Sequence, residues 1–199
     1  MMRWPQWPWE PEVAMTMIDV RPQVLPEQLL RMPDAKSFEL IDGVPVERHV
    51  SRRSSRAGAR ILTKFEVECE RTGEAEAYPS DMGYQCFADQ PLMVRKGDAS
   101  VVRMERLAEV DDDPGYLPVP ADLVVEVVSP NDLFHGVSEK IALYLANGFG
   151  MVWVVDPTLR TVTVHRVDAA PVTYRAQDEI TAAPALSQFS CKVAEFFDR

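Results

Sequence analysis

The chain is poor in the residues that build metal cages and crosslinks. Among 199 residues there are three cysteines and three histidines. Cys69, Cys86 and Cys191 are odd in number and far apart, which argues against a disulfide framework and against a zinc site. His49, His135 and His165 are scattered through polar segments, and none is taken as a ligand. No apolar run reaches the roughly 18 residues that a membrane helix needs, so no membrane partner is expected. Residues 1–12, MMRWPQWPWEPE, hold no apolar stretch of the kind a secretory leader requires. The expected compartment is the cytoplasm. A basic excess is missing too: 21 Lys and Arg face 31 Asp and Glu, a formal net charge of -10. That speaks against long, non-specific wrapping of nucleic acid, while leaving room for a local basic patch.

What is present reads as one α/β domain. Tryptophan and proline alternate near the N-terminus and rule out a regular helix there. Residues 1–24 are therefore expected to form a tail, and 25–199 a single domain without an internal linker. Pro26 to Met32 suits a short helix with proline in its first turn. In SFELIDGVPVER, residues 37–48, two strand-like runs flank Asp42-Gly43, a strong hairpin signal. Ala57, Ile61, Leu62, Phe65 and Cys69 recur at helical spacing, so a helix is expected over 53–71, closed by Thr72-Gly73. Strands are expected at 83–87, 92–94, 99–102, 123–128, 151–155 and 161–166, with a helix over 138–147 and a last short helix at 193–197. The alternation predicts a mixed β-sheet flanked by helices.

Glu126 is the most informative residue. It interrupts LVVEVV, residues 123–128, which otherwise reads as a central strand covered on both faces. An ionised carboxylate there costs several kcal/mol unless a metal, a basic side chain or a proton compensates it. A salt bridge would suffice for Glu126 alone. Asp98 adds a second acid at the entry of another strand, RKGDASVV, where Gly97 permits close backbone approach. If the two strands are neighbours, the carboxylates converge. At about 4 Å they would repel by roughly 4 kcal/mol at an effective dielectric near 20. Hard oxygen ligands of this kind suit Mg2+ or Mn2+. Lys140, in VSEKIALYLANGF, borders the apolar face set by Ile141, Tyr144 and Leu145, so its stem can cross that face and bring the ammonium inward. A solvated helix lysine is the plain alternative.

Arg53, Arg56, Arg60 and Lys64 recur at i+3 and i+4, with Arg48 and Arg52 just before. On a helix they share a face, the best candidate for phosphate contact in an acidic chain. The competing reading is a solvated face paired with Glu66, Glu68 and Glu70.

LVVEVVSPND, EKIALYLANGF and VWVVDPTLRTVTVHR, together with SFELIDGVPVE and RKGDASVVRMERL, resemble five ordered blocks of the Uma-type family. These are bacterial proteins described as restriction endonucleases and assigned to the PD-(D/E)XK nuclease superfamily. The resemblance spans roughly residues 25–197. It implies a restriction-endonuclease-like core and a Mg2+-dependent (or Mn2+-dependent) nuclease acting on nucleic acid, DNA in the first instance, as a homodimer. Asp98 and Glu126 match the metal-binding acids, and Lys140 matches the catalytic lysine. The superfamily's plain pattern has a lysine two residues after the second acid, where Val128 stands here. Glu39 matches an assisting acid in the first hairpin. Arg53, Arg56 and Arg60 remain the expected nucleic-acid contacts. Two further departures are Gly97 where the family has proline and Ser54 where it often has histidine. A catalytically inactive binding or accessory module on the same fold is the competing expectation, and metal binding separates the two.

Overall fold

A computed structural model describes residues 23–49, 51–108, 110–111, 115–129 and 134–197. The expected tail falls outside these residues except for Gln23 and Val24. The latter donates to the Gly43 carbonyl at 2.8 Å. Asn131 and Asp132, in the loop after the LVVEVV run, also lie outside them.

The chain begins with helix α1 (Pro26–Leu30), which ends before Met32. The hairpin of β1 (Phe38–Ile41) and β2 (Val44–Glu47) follows in antiparallel register. Its turn needs left-handed backbone at both central residues, and Asp42 (φ 49°) and Gly43 (φ 78°) supply it. Helix α2 (Arg52–Thr72) is started by Ser51, whose hydroxyl accepts from Ser54 N, and is closed by Gly73 at φ 65°.

The main sheet holds β3 (Ala75–Pro79), β4 (Ala99–Arg103), β5 (Leu123–Val127), β6 (Val152–Asp156), β7 (Thr161–Arg166) and β8 (Ala169–Arg175), in that spatial order. A short helix, α3 (Met104–Leu107), follows β4. Only β5 and β6 pair in parallel, and the crossover between them carries α4 (Phe134–Ala146). A small pair, β9 (Glu179–Thr181) and β10 (Ser190–Lys192), and a 3-10 turn at Val193–Phe196 complete the described chain.

Strand β5 is thus interior, as the LVVEVV run predicts, with a helix over each face. Toward α2, Val125, Val127 and Trp153 pack with Ala57, Ile61 and Phe65. Toward α4, Val124 and Val152 pack with Tyr144 and Phe149. The period-2 alternation of a strand makes this division.

Two expectations need correction. Residues 83–87 and 92–94 are not strands; single bridges join Tyr84 to Arg95 and Leu117, and Leu40 to Val94. Asp89, Gln90 and Pro91 turn the chain too often for a ladder to continue. Helix α4 starts four residues earlier than its apolar spacing suggested. Strands β3, β8, β9 and β10 were not foreseen. Most of β8 is exposed and it carries Pro171, as suits an edge strand without the alternation that betrays a half-buried one. No helix among the described residues is long and apolar enough to cross a membrane.

Candidate active site

Glu126 sits on the α4 side of β5. The β4–β5 register pairs Ala99 with Val125, so one step further brings Asp98 opposite Glu126. The ladder bends at that step. Asp98 N donates to Val125 O at 2.7 Å, and the Asp98 carboxylate accepts the Val127 N–H at 2.7 Å through Oδ2. Gly97 is required by this approach: a Cβ there would lie 2.5 Å from Val124 Cγ2 and 3.1 Å from the Val125 carbonyl oxygen. Proline, with a Cβ of its own, would meet the same atoms.

Helix α4 supplies Lys140 and Tyr144, one turn apart on a single face. The Lys140 ammonium lies 2.9 Å from the Glu126 carboxylate, and the Tyr144 hydroxyl donates to Glu126 Oε1 at 2.9 Å. Lys140 also donates to the Lys96 carbonyl at 3.0 Å. Glu39 enters from β1. Its Oε1 accepts from Lys96 N at 2.7 Å and lies 3.0 Å from Lys140 Nζ, while Oε2 pairs with Arg95 at 3.2 Å. Arg48 closes the other flank, donating to Asp98 Oδ1 at 2.9 Å, Gly97 O at 3.3 Å and Ser80 O at 2.7 Å. Glu39, Asp98, Glu126 and Lys140 line one cavity of about 280 Å³, with Arg48 and Ser54 on its wall.

The two glutamates feel opposite fields. Burial pushes Glu126 up to about 7; Lys140 opposes that shift, and the charges of Asp98 and Glu39 add to it. Burial would raise Glu39 as well, but Lys140, Arg95 and the Lys96 N–H outweigh it and hold Glu39 below the ordinary glutamate value. Burial disfavours charge on Lys140, yet Glu126 and Glu39 more than offset this and keep it ionised. Tyr144 is driven well above the usual tyrosine range by burial and by the carboxylates beside it. Two carboxylates of one cavity thus have separated acidities, a pattern found where acid and base roles are divided.

The chemistry of the donors fits a hard divalent ion at Asp98 and Glu126. Among the described residues no group of three His, Cys, Asp or Glu forms a complete cage. Mg2+ is commonly held by one or two carboxylates, with water and substrate phosphate completing its shell. A cation bound there would offset the charges of Asp98 and Glu39, which add to what burial does to Glu126.

The arginine stripe is divided. Arg53 and Arg56 line a second cavity on the other flank of α2. Arg60 turns to the C-terminal segment, donating to Phe197 O at 2.8 Å and Glu195 O at 3.5 Å, and Lys64 pairs with Glu195 at 2.7 Å. Of the three glutamates weighed as partners for the stripe, Glu68 pairs with Arg71, at 2.7 Å.

Sequence reasoning missed the site roles of Arg48, Arg95 and Tyr144. Tyr144 carried a usable signal, since it lies four residues after Lys140. Arg95 stands in the same RKGD segment as Asp98. Arg48 gave no local hint of its partner 50 residues away. His49, set aside above, lines the cavity as well.

A family model for Uma2, described as "Putative restriction endonuclease", matches residues 26–194. The chain belongs to this family. A solved structure with the same architecture is that of "a putative nuclease belonging to DUF820" from Anabaena variabilis ATCC 29413. It superposes with a TM-score of 0.72 at 17% identity, covering 87% of this chain and 97% of the other. At that identity the likeness establishes the Uma2 chain's fold alone. No curated protein matches the chain.

Proposed function

We propose that the protein is a nuclease that hydrolyses phosphodiester bonds of nucleic acid with the help of Mg2+ or Mn2+. The observation that carries this reading is the shared cavity of Asp98, Glu126 and Lys140, with Glu126 pushed up to about 7. Membership of the Uma2 family supports it.

Asp98 and Glu126 are the residues that would hold the ion. When bound, such an ion would polarise a phosphoryl oxygen and lower the pKa of water. The chain's own groups do the rest. Lys140 brings an ionised ammonium to the place where a phosphate accumulates negative charge. Glu39 and the Lys96 carbonyl fix that ammonium, Arg48 fixes Asp98, and Tyr144 fixes Glu126. Arg53, Arg56 and Arg60 are proposed to add contacts to the nucleic-acid backbone, Arg60 subject to its ties to the C-terminal segment. We take DNA as the first substrate to test, and a homodimer as the assembly, which sedimentation would check.

One observation favours the second reading, an inactive binding module. The oxygens of both acids already have partners within the protein: Lys140 and Tyr144 on Glu126, Arg48 and Val127 N on Asp98. The deciding experiment incubates the purified chain with supercoiled plasmid, single-stranded DNA and RNA in Mg2+, in Mn2+ and in EDTA. Cleavage that needs the ion is expected. No cleavage, with no Mn2+ bound in calorimetry, would leave the binding module.

A further inference from the structure

The side chains that carry protons around the Asp98–Glu126 cavity are already engaged. The Lys140 ammonium has three N–H donors. Glu126 at 2.9 Å, Glu39 at 3.0 Å and the Lys96 carbonyl at 3.0 Å take all three. Tyr144 gives its hydroxyl proton to Glu126. Ser54 donates to the Ser51 carbonyl at 3.0 Å and accepts from Ser51 N at 2.9 Å. Arg48 is held by Ser80 O, Gly97 O and Asp98, and a guanidinium does not give up its proton in a protein. Glu126, as a residue that would hold the ion, serves as a carboxylate and not as an acid. Hydrolysis of a phosphodiester nevertheless needs a proton donor. The bridging oxygen that departs is a poor leaving group unless it is protonated as its bond to phosphorus breaks.

Two side chains on the cavity wall stand apart. Glu47 and His49 both line it, both are exposed, and among the described residues neither makes a hydrogen bond or an ion pair. An ionised carboxylate only accepts, whereas an imidazole takes up and releases a proton near neutral pH. The chain is also pinned on either side of His49. Before it, Arg48 N donates to Ser37 O at 2.8 Å while the Arg48 side chain holds Asp98. After it, Ser51 caps α2 by accepting from Ser54 N at 3.1 Å. The short connection between β2 and α2 thus keeps the imidazole at the mouth of the cavity, and restricted position is what an efficient proton donor needs.

We propose that His49 is a catalytic residue, the general acid that protonates the leaving oxygen. This inference rests on the nuclease reading above and assigns the one proton transfer which that reading leaves open. In the step, a water oxygen bonds to phosphorus and the bond from phosphorus to the bridging oxygen breaks. The bridging oxygen keeps the electron pair and takes the proton of the His49 imidazolium. The surplus proton of the water passes to solvent, and solvent reprotonates the neutral imidazole before the next turnover.

The test compares the full chain with His49→Gln on two DNA oligonucleotides in Mn2+. One is ordinary; the other carries sulfur in place of the bridging oxygen, at the 3′ side in one preparation and the 5′ side in another. A thiolate leaves without a proton, so the sulfur substrate has no use for a general acid. On ordinary DNA the variant should lose at least about a hundredfold in kcat, with KM unchanged. On the sulfur substrate that breaks at the same bond, the two proteins should cleave at the same rate. Melting midpoints should match, since His49 is exposed. An equal loss on both substrates overturns the proposal, because His49 would then act through binding or wall shape. Undiminished cleavage of ordinary DNA by the variant overturns it as well, and in both cases the nuclease reading stands. A wild type that cleaves neither substrate overturns both.

Discussion

Strand β5 presents two faces of opposite construction. Toward α2, Val125 and Val127 join Phe65 and Trp153 in a layer without a charge. Toward α4, Val124 is followed by Glu126, around which Lys140 and Arg95 alternate with Glu39, and Arg48 pairs with Asp98. The first face stabilises the fold through removal of apolar surface from water. The second gives up part of that gain, since ionic groups seldom recover their desolvation cost. Both occur on one five-residue strand, so side-chain alternation puts an apolar layer on one face and the charged cluster on the other.

The sharpest way to break this comparison is to damage the apolar face. Trp153→Ala should lower stability by about 4 kcal/mol in urea denaturation, while the remaining folded molecules keep their Mn2+ affinity. A loss below about 1 kcal/mol would show that this layer is not the main store of stability.

Lys140→Met comes next, at about 3 kcal/mol near pH 8, because it leaves Glu126 and Glu39 buried without their shared cation. As pH falls through 7, Glu126 takes up a proton and the loss should shrink. Denaturation at pH 8 and pH 6 measures this; equal losses would mean that Glu126 carries no charge at either pH. Cleavage should also slow.

Glu126→Gln keeps the shape and leaves Lys140 its contact with Glu39. Cleavage of plasmid in Mg2+ should fall at least about a hundredfold, equivalent to roughly 2.7 kcal/mol, with an unchanged circular dichroism spectrum. The pH dependence of stability gives an independent check in EDTA. Glu126 is raised from 4.5 to about 7 in the folded protein, so its contribution is full below 4.5 and is lost as pH rises through 7. The wild type should therefore lose ground to the glutamine variant across that interval. A pH-independent difference would contradict the raised value.

The smallest effect is expected for Tyr144→Phe, about 1.5 kcal/mol, the worth of a hydrogen bond to a charged group. Losing that donor should lift Glu126 further and move the acid limb of the pH–rate profile to higher pH. An unmoved limb would assign the hydroxyl a packing role.

Much of the fold was legible because its signals are local. The apolar spacing of Ile61 and Phe65 gave α2, Asp42-Gly43 gave the β1–β2 turn, and LVVEVV gave an interior strand. Glu126 stood out because a carboxylate contradicts its apolar neighbours. Strand β8 escaped because an exposed edge strand need not alternate, and residues 83–87 misled because a few apolar side chains between turns look like a strand.

By itself the sequence determined the elements, their order and the presence of an acid where burial forbids an uncompensated one. Tertiary structure alone decided the company that acid keeps. Glu39, backed by Arg95, and Arg48 reach the cavity because hairpin β1–β2 and the segment before β4 close over the end of β5. The C-terminal segment packed along α2 divided its arginines, holding Arg60 by its carbonyls and leaving Arg53 and Arg56 in one cavity with Arg160. Helical and strand periods are set by neighbours a few residues apart, whereas ion pairing depends on which distant segments the packed core brings within about 3 Å.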